Sequence, residues 1–272
     1  MRGTAVTLAV LLGMAGGCRT GRDYPANGGP RYAGGPSGAG SVPRLANDTL
    51  RLATFNIKLA HEVDSAIVVL RTDPQLRLAD VLMLQEMDAE SARRIADSLG
   101  MWYVSYPAIV NRSTRRDVGN AVLSRWPIVA DARIVLPHPS RYAGTHRIAT
   151  AATIRVGDMT VRVYSTHLGT MMDVGGTARR AQLRTILRDA ERFERVVIGG
   201  DMNEVDVGRV ARESGYLWPT EDGPRTFALG RYDHIFLKGL ATADSAATGT
   251  VLNVRGASDH LPVWVIALIL RP

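Results

Sequence analysis

The stretch ATAATIRVGDMTVRVYSTH, residues 149–167, sets the fold class of this chain. Two runs rich in Val, Ile and Thr, residues 149–156 and 160–166, flank the turn-forming pair Gly157 and Asp158. This is the pattern of a β-hairpin, so the sheet that contains it is predicted to be at least partly antiparallel. Alternate residues of the second run share one face, which places the imidazole of His167 at the end of that strand.

Around this hairpin the chain mixes many short apolar runs with a few helical patterns. Further strands are predicted at residues 50–57, 80–85, 120–124, 128–135, 195–198, 233–237 and 262–269. Helices are predicted at residues 63–71, 89–99, 177–193 and 204–213. Because the helices are placed irregularly among the strands, a mixed α/β sandwich with outer helices is favoured over a doubly wound parallel sheet.

The composition is that of a globular, basic chain. Of 272 residues, 46% are hydrophobic and 22% charged, which excludes a disordered or collagenous chain. A single cysteine excludes a disulfide scaffold and a cysteine-rich zinc site. The net charge of +7 favours an anionic partner such as nucleic acid, an acidic lipid head group or a phosphorylated small molecule.

The amino-terminal region has the layout of an export signal. Residues 1–17 hold one early positive charge, a short apolar run and small residues, and they end directly before Cys18. This resembles a bacterial lipoprotein signal, so we expect lipidation at Cys18, a membrane partner through that lipid and a cell-envelope location. Plain secretion and a buried core cysteine are the alternatives. Residues 18–47, rich in Gly and Pro, are predicted to form a tether before one domain at 48–272.

Polar side chains stand at the ends of several predicted strands. One such residue is usually a turn former or a helix cap, but several together indicate a site. The residues concerned are Asn56, Glu86, His167, Asp201, Asn203, Asp233, Asp259 and His260. Carboxylate, amide and imidazole groups without a soft sulfur ligand suit a hard cation such as Mg2+.

Seven segments in order resemble the endonuclease/exonuclease/phosphatase superfamily, which has the deoxyribonuclease I-like fold. They are TFNIK (54–58), LQEM (84–87), GNAVLSRWPI (119–128), YSTHL (164–168), GGDMNE (199–204), RYDHIF (231–236) and SDHLPV (258–263). The resemblance implies a four-layer α/β sandwich in which two packed, mainly antiparallel sheets are flanked by helices, with the site at one edge. It also implies a metal-dependent hydrolase acting on phosphate ester bonds.

The resemblance further implies which residues hold the metal. Glu86 would be the main ligand of Mg2+, or of Mn2+ or Ca2+, with Asn56 in support. Asp259 would lie on the same side. Asn120 would help to position these groups and the substrate.

The same resemblance implies the catalytic roles. His260, paired with Asp233, would be the general acid or base, and His167 would bind and neutralise the phosphate. Asp201 would orient or deprotonate the attacking water, while Asn203 would hold phosphate. The residues alone leave open whether Asp201 or His260 takes the proton of the water.

The substrate is the least determined part of the prediction. We expect a monomeric, exported, Mg2+-dependent nuclease acting on nucleic acid. A phospholipid or sphingomyelin head-group phosphodiesterase, a phosphoinositide phosphatase and a non-catalytic binding module are the alternatives. Basic loops at 111–117 and 137–147 could track a nucleic-acid backbone, and an ordinary solvated basic surface is the alternative for them. Met171 and Met172 are the nearest candidates for a lipid-contacting loop. Lys58 stands where apurinic-site endonucleases of the family usually carry an acid.

Four further histidines lie outside the predicted site and are expected to have surface or loop roles: His61, His138, His146 and His234.

Overall fold

A computed structural model describes residues 21–24, 29–36, 45, 47–111, 115–242 and 247–270. The predicted signal at 1–17, Cys18 and Arg112 of the first basic loop lie outside the described residues. The strands are β1 Gly21–Asp23, β2 Tyr32–Gly34, β3 Thr49–Asn56, β4 Val81–Met87, β5 Trp102–Asn111, β6 Asp117–Ser124, β7 Ile128–Val135, β8 Ile148–Val156, β9 Met159–His167, β10 Val196–Asp201, β11 Asp233–Lys238, β12 Leu240–Thr242, β13 Thr248–Thr250 and β14 Val263–Ile269. The helices are α1 Val63–Thr72, α2 Ala89–Leu99, α3 Gly176–Ala190 and α4 Val207–Glu213, with 3-10 turns at Lys58–Ala60 and Leu76–Leu78.

The strands form two sheets. The larger one has the order β1-β5-β6-β4-β3-β14-β12, with β2 paired to β5 and β13 paired to β14. The smaller one has the order β11-β10-β9-β8-β7. The predicted hairpin is confirmed, because β8 and β9 pair antiparallel out to Val156 and Met159 around Gly157, whose φ is +61°.

Side-chain alternation along the strands builds the layers. In β4, Leu82 and Leu84 face a core shared with α1 and α2, while Val81 and Met83 face the other sheet. In β10, Val197 faces the larger sheet, and Val196 and Ile198 face a third core shared with α3 and α4. The order helices, sheet, sheet, helices confirms the four-layer α/β sandwich.

The segment expected to be a tether carries two short strands. β1 and β2 both pair antiparallel with β5, an edge that the sequence pattern did not identify as a strand. Side chains reinforce the pairing: Asp117 accepts hydrogen bonds from the hydroxyls of Tyr24 and Tyr32, and Arg31 pairs with Asp131 at 2.6 Å. In its described parts, the segment therefore packs on the domain instead of standing clear of it.

Two helices are shorter than their patterns indicate. The last helix begins at Val207, not at residue 204, because residues 204–206 continue the turn that starts at Asn203, whose φ is +53°. In that turn the Glu204 carboxylate accepts a hydrogen bond from Arg179 at 2.7 Å. α3 ends at Ala190, and Phe193 packs beside it instead of continuing it. Among the described residues, no helix is long and apolar enough to cross a membrane.

Candidate active site

Three neighbouring strands carry the centre of the site in one row. In the register of the smaller sheet, Asp201 at the end of β10 lies beside His167 of β9 on one side and Asp233 of β11 on the other. The alternation predicted for β9 thus brings His167 to the site. His260, in the loop before β14, reaches the same row through a 2.9 Å contact between its Nδ1 and Asp233 Oδ2.

Asp201 is buried at the middle of this group. Its Oδ2 accepts a hydrogen bond from Asn56 Nδ2 at 3.1 Å. The same oxygen stands 3.4 Å from His167 Nε2 and 3.6 Å from His260 Nε2. Its Oδ1 accepts the backbone N–H of Asn203 at 2.9 Å. A single carboxylate therefore touches both imidazoles.

Glu86 enters the site on a strained backbone. Its φ is +57°, and the pairing of β4 with β6 shifts register between Gln85 and Met87. An ordinary strand residue would point its side chain along the sheet face, whereas this bulge turns the carboxylate toward the cleft. There Oε2 accepts the Leu59 N–H at 2.9 Å, and Oε1 lies 3.3 Å from Asn56 Nδ2.

The remaining predicted residues reach the same cleft, which has a volume of about 350 Å3. Asn203 has a left-handed backbone, φ +53°, and its amide donates to Leu168 O at 3.0 Å. Asn120 lines the cleft, and its side-chain amide donates a hydrogen bond to Ile148 O at 2.9 Å. Asp259 forms an ion pair with Lys58 at 3.4 Å.

Comparison with known proteins agrees with this geometry. The sequence model of the Endonuclease/Exonuclease/phosphatase family matches residues 52–260. The chain belongs to the endonuclease/exonuclease/phosphatase family. Sphingomyelinase C of Bacillus cereus is 26% identical over 206 residues, which cover 62% of this chain and 61% of that protein. The chain thus spans about three fifths of the length of this relative.

Solved structures of the endonuclease/exonuclease/phosphatase family share the fold. One from Beutenbergia cavernae has a TM-score of 0.66 at 21% identity, covering 82% of this chain and 72% of that one. TDP2 of D. rerio, complexed with single strand DNA product, has a TM-score of 0.64 at 16% identity, covering 81% of this chain and 99% of that one. At such identities the likeness shows the fold alone. Members of this family are hydrolases that act on phosphate esters.

The donor set fits the divalent cation that this family generally uses. No cluster of three or more His, Cys, Asp or Glu side chains suited to a metal occurs among the described residues. Glu86 and Asp201 bring carboxylates to the cleft, and Mg2+ takes one or two protein carboxylates while it keeps several waters and binds substrate phosphate oxygens. Asn56 faces Glu86 through its amide nitrogen, while its oxygen accepts the Lys58 N–H, so in this arrangement it orients the carboxylate.

The two imidazoles have opposite electrostatic surroundings. Burial alone would lower the pKa of His260, but the charges of Asp233 and Asp201 outweigh it and raise that pKa to about 10. Burial, followed by the charge of Arg147, holds the pKa of His167 well below its usual range. His260 is thus a cation at neutral pH, and His167 is neutral.

His167 meets charged groups at both ring nitrogens. Arg147 Nη1 stands 3.4 Å and Glu86 Oε1 3.7 Å from its Nδ1. Its Nε2 faces Asp201 Oδ2 at 3.4 Å. Burial raises the pKa of Asp201 to about 7, with the charge of Asp233 adding to it and that of His260 opposing it.

Sequence reasoning missed several residues of the cleft. Phe227, outside every motif, stacks on His260 with ring centroids 4.6 Å apart. Arg147 was assigned to a loop that tracks a nucleic-acid backbone, and Asp173 was not singled out. His234 is not a surface or loop residue: it is fully buried and accepts a hydrogen bond from Trp218 at 3.1 Å. Its place beside Asp233 in RYDHIF was the available signal.

Proposed function

We propose that this chain is an exported, metal-assisted phosphodiesterase that cleaves phospholipid head groups. The observation that carries the choice of substrate is the apolar rim of the cleft. Met171, Met172 and Leu229 line the cleft with 54%, 62% and 63% of their surface exposed. A soluble enzyme gains nothing from large apolar side chains in water at the mouth of its site, whereas a lipid surface would cover them.

The neighbouring loop extends this rim. Tyr142, about half exposed, lies in the turn that follows Ser140, which itself lines the cleft. Arg141, in the same turn, adds exposed positive charge beside the mouth. A rim that mixes apolar and cationic side chains suits the interface of a membrane, where acyl chains lie below phosphates. The similarity to a sphingomyelinase supports the same substrate class.

The chemistry follows from the charges in the site. Asp201, whose pKa is raised by burial, is suited to take the proton of the attacking water. His260, held as a cation by Asp233, is suited to protonate the leaving alkoxide. Glu86 would hold the cation, which when bound would stabilise negative charge on the phosphate oxygens.

Vesicle hydrolysis tests the substrate class. The double variant Met171→Ser, Met172→Ser is expected to weaken binding to the lipid surface by about 2 kcal/mol, because burying the exposed portion of each methionine contributes about 1 kcal/mol. We expect about a thirtyfold loss of phosphocholine release from sphingomyelin vesicles, with hydrolysis of soluble bis-p-nitrophenyl phosphate unchanged. Val68→Ser, an exposed apolar side chain on α1, is the matched control. Equal losses on both substrates would contradict the lipid assignment.

A nuclease is the second candidate. Arg115 and Arg141 are exposed cations on loops around the cleft, and a nucleic-acid backbone could engage them. Arg116 and Lys58, in contrast, are already paired with Asp88 and Asp259. Nicking of supercoiled plasmid by the purified chain at millimolar Mg2+, abolished by chelator, would favour the nuclease. No nicking alongside vesicle hydrolysis would exclude it.

Export and anchoring are proposed on the sequence alone. Lipidation at Cys18 would hold the enzyme at a membrane that contains its substrate. Cys18→Ser is expected to move the chain from the membrane fraction to the soluble fraction of an expressing bacterium. A chain that stays in the membrane fraction after this substitution would rule out the lipid anchor.

A further inference from the structure

Asp173 is a buried carboxylate that the mechanism above does not use. It follows Met172 in the loop between β9 and α3, and only 4% of its side chain is exposed. Its Oδ1 accepts the Ser140 hydroxyl at 2.6 Å, and its Oδ2 accepts that of Thr170 at 3.0 Å. A buried charge is costly unless it is paired, so this position calls for a cationic partner.

That partner is Arg147, in the loop directly before β8. Arg147 Nη2 stands 3.4 Å from Asp173 Oδ2, and its Nη1 stands 3.4 Å from His167 Nδ1. The guanidinium keeps 24% of its side chain exposed and lines the cleft. One end of the group is thus held by a buried acid, while the rest faces the space that the substrate enters.

Asp173 also ties together the two loops that bound this side of the cleft. Its backbone oxygen accepts the N–H of Arg141 at 3.1 Å and the Nε of Arg141 at 3.2 Å. With the Ser140 hydroxyl, these bonds fasten the loop before β8 to the loop after β9. The position of Arg147 therefore depends on Asp173 both directly and through the loop that leads to it.

The charges that line the cleft indicate what Arg147 binds. Glu86 and Asp201 are acids, and the substrate brings a phosphodiester anion. Among the described residues, the lysines and arginines lining the cleft are Lys58 and Arg147, and Lys58 is bound by Asp259 at the exposed mouth. Arg147 is the permanently charged group beside His167, and its planar fork can pair with two phosphate oxygens.

We propose that Asp173 is a positioning residue that holds Arg147 against His167, where the guanidinium binds the non-bridging oxygens of the substrate phosphate. The proposal deepens the proposed function and rests on it, since it concerns the same site. It names the phosphate itself as the group recognised, whichever phosphodiester carries it. Asp173 touches no substrate and acts through Arg147.

Binding of inorganic phosphate to the full chain with Mg2+, measured by calorimetry, tests this without turnover. We expect Arg147→Ala to weaken phosphate binding about a hundredfold and Asp173→Asn about tenfold. In the Arg147→Ala background, Asp173→Asn is expected to change phosphate binding less than twofold, because its effect passes through the arginine. Arg184→Ala, which removes an exposed arginine from the outer face of α3, is the charge-matched control.

Kinetics on bis-p-nitrophenyl phosphate give a second test that does not depend on the Asp173 variant folding. Free guanidinium is expected to raise the kcat/KM of Arg147→Ala at least tenfold and to leave the kcat/KM of His260→Ala unchanged. Arg147→Lys is expected to fall between wild type and Arg147→Ala, since it keeps the charge and loses the fork.

Either of two results would overturn the proposal: equal phosphate binding by wild type and Arg147→Ala, or the same loss from Asp173→Asn in both backgrounds. A wild-type chain that binds phosphate through Arg147 but hydrolyses no phosphodiester would instead refute the proposed function.

Discussion

Asp233→Asn tests the assignment of His260 as the general acid. The carboxylate of Asp233 lies 2.9 Å from His260 Nδ1 and is the main charge that raises the pKa of the imidazole to about 10. That value lies about 3.5 pH units above the ordinary 6.5, which corresponds to about 5 kcal/mol in favour of the imidazolium. Asparagine keeps the shape and removes the charge. We expect the pKa of His260 to fall by at least about 2 units, because burial then acts with less opposition.

The sign of the effect is fixed by the direction of the shift. A raised pKa in the folded state stabilises the protein fully below pH 6.5, and this stabilisation is lost as the pH rises toward 10. In the variant, the alkaline loss begins at lower pH. The kcat/KM for bis-p-nitrophenyl phosphate is therefore expected to decline above neutrality in Asp233→Asn but to hold into the alkaline range in wild type.

Two measurements check this together. A pH series of kcat/KM gives the position of the alkaline limb, and NMR of histidine labelled in the imidazole ring gives the pKa of His260 directly. His260→Ala, which lacks the ring, identifies the signal. If the NMR titration moves and the alkaline limb does not, His260 is not the acid. If neither moves, the electrostatic argument itself is wrong.

Three further predictions address the metal, the core and the sheet. Glu86→Gln is expected to lower turnover at least a thousandfold and to abolish Mg2+ binding by calorimetry, with the circular dichroism spectrum unchanged. His234 is buried with its pKa lowered to about 4 by burial, so it is neutral when folded. The free energy of unfolding, measured by urea titration, is expected to fall by about 3 kcal/mol as the pH drops from 6.5 to 4. The variant His234→Gln, whose side chain can still accept the hydrogen bond from Trp218, is expected to show a smaller fall. Gly200→Ala would place a Cβ 1.8 Å from Thr166 O and is expected to cost about 3 kcal/mol or more in the same titration.

Much of the fold was predictable because it is written in local patterns. The hairpin at 149–167 is marked by a turn pair and by alternation, and α2 by a strong apolar face. β5 was missed because Pro107 interrupts it and its register with β6 shifts there, so no clean alternation remains. β1 and β2 have only three residues each, and what they bind is an edge that exists only after folding.

The residues of the site also fall into those with a local sequence signal and those without one. His167 and Asp201 are the last residues of β9 and β10, Asp233 is the first residue of β11, and such strand boundaries can be recognised from one sequence. Asp173 and Arg147 lie in different loops, 26 residues apart, and nothing local connects them. For His234 the motif RYDHIF is a local signal, but the partners that bury it, Trp218 and Thr220, come from another segment. The sequence therefore predicts the residues that meet at the strand ends better than the residues that hold them in position.

The row of His167, Asp201 and Asp233 links chemistry to the cooperative unit of the fold. These residues sit on three hydrogen-bonded strands, so this part of the site opens only when the smaller sheet unfolds. Their amide hydrogens are expected to exchange with solvent at the slow, global rate, while the turns bearing Met171 and Leu229 exchange through small local openings. If the proposed function holds, substitutions in those turns would change the substrate without disturbing the residues on the sheet.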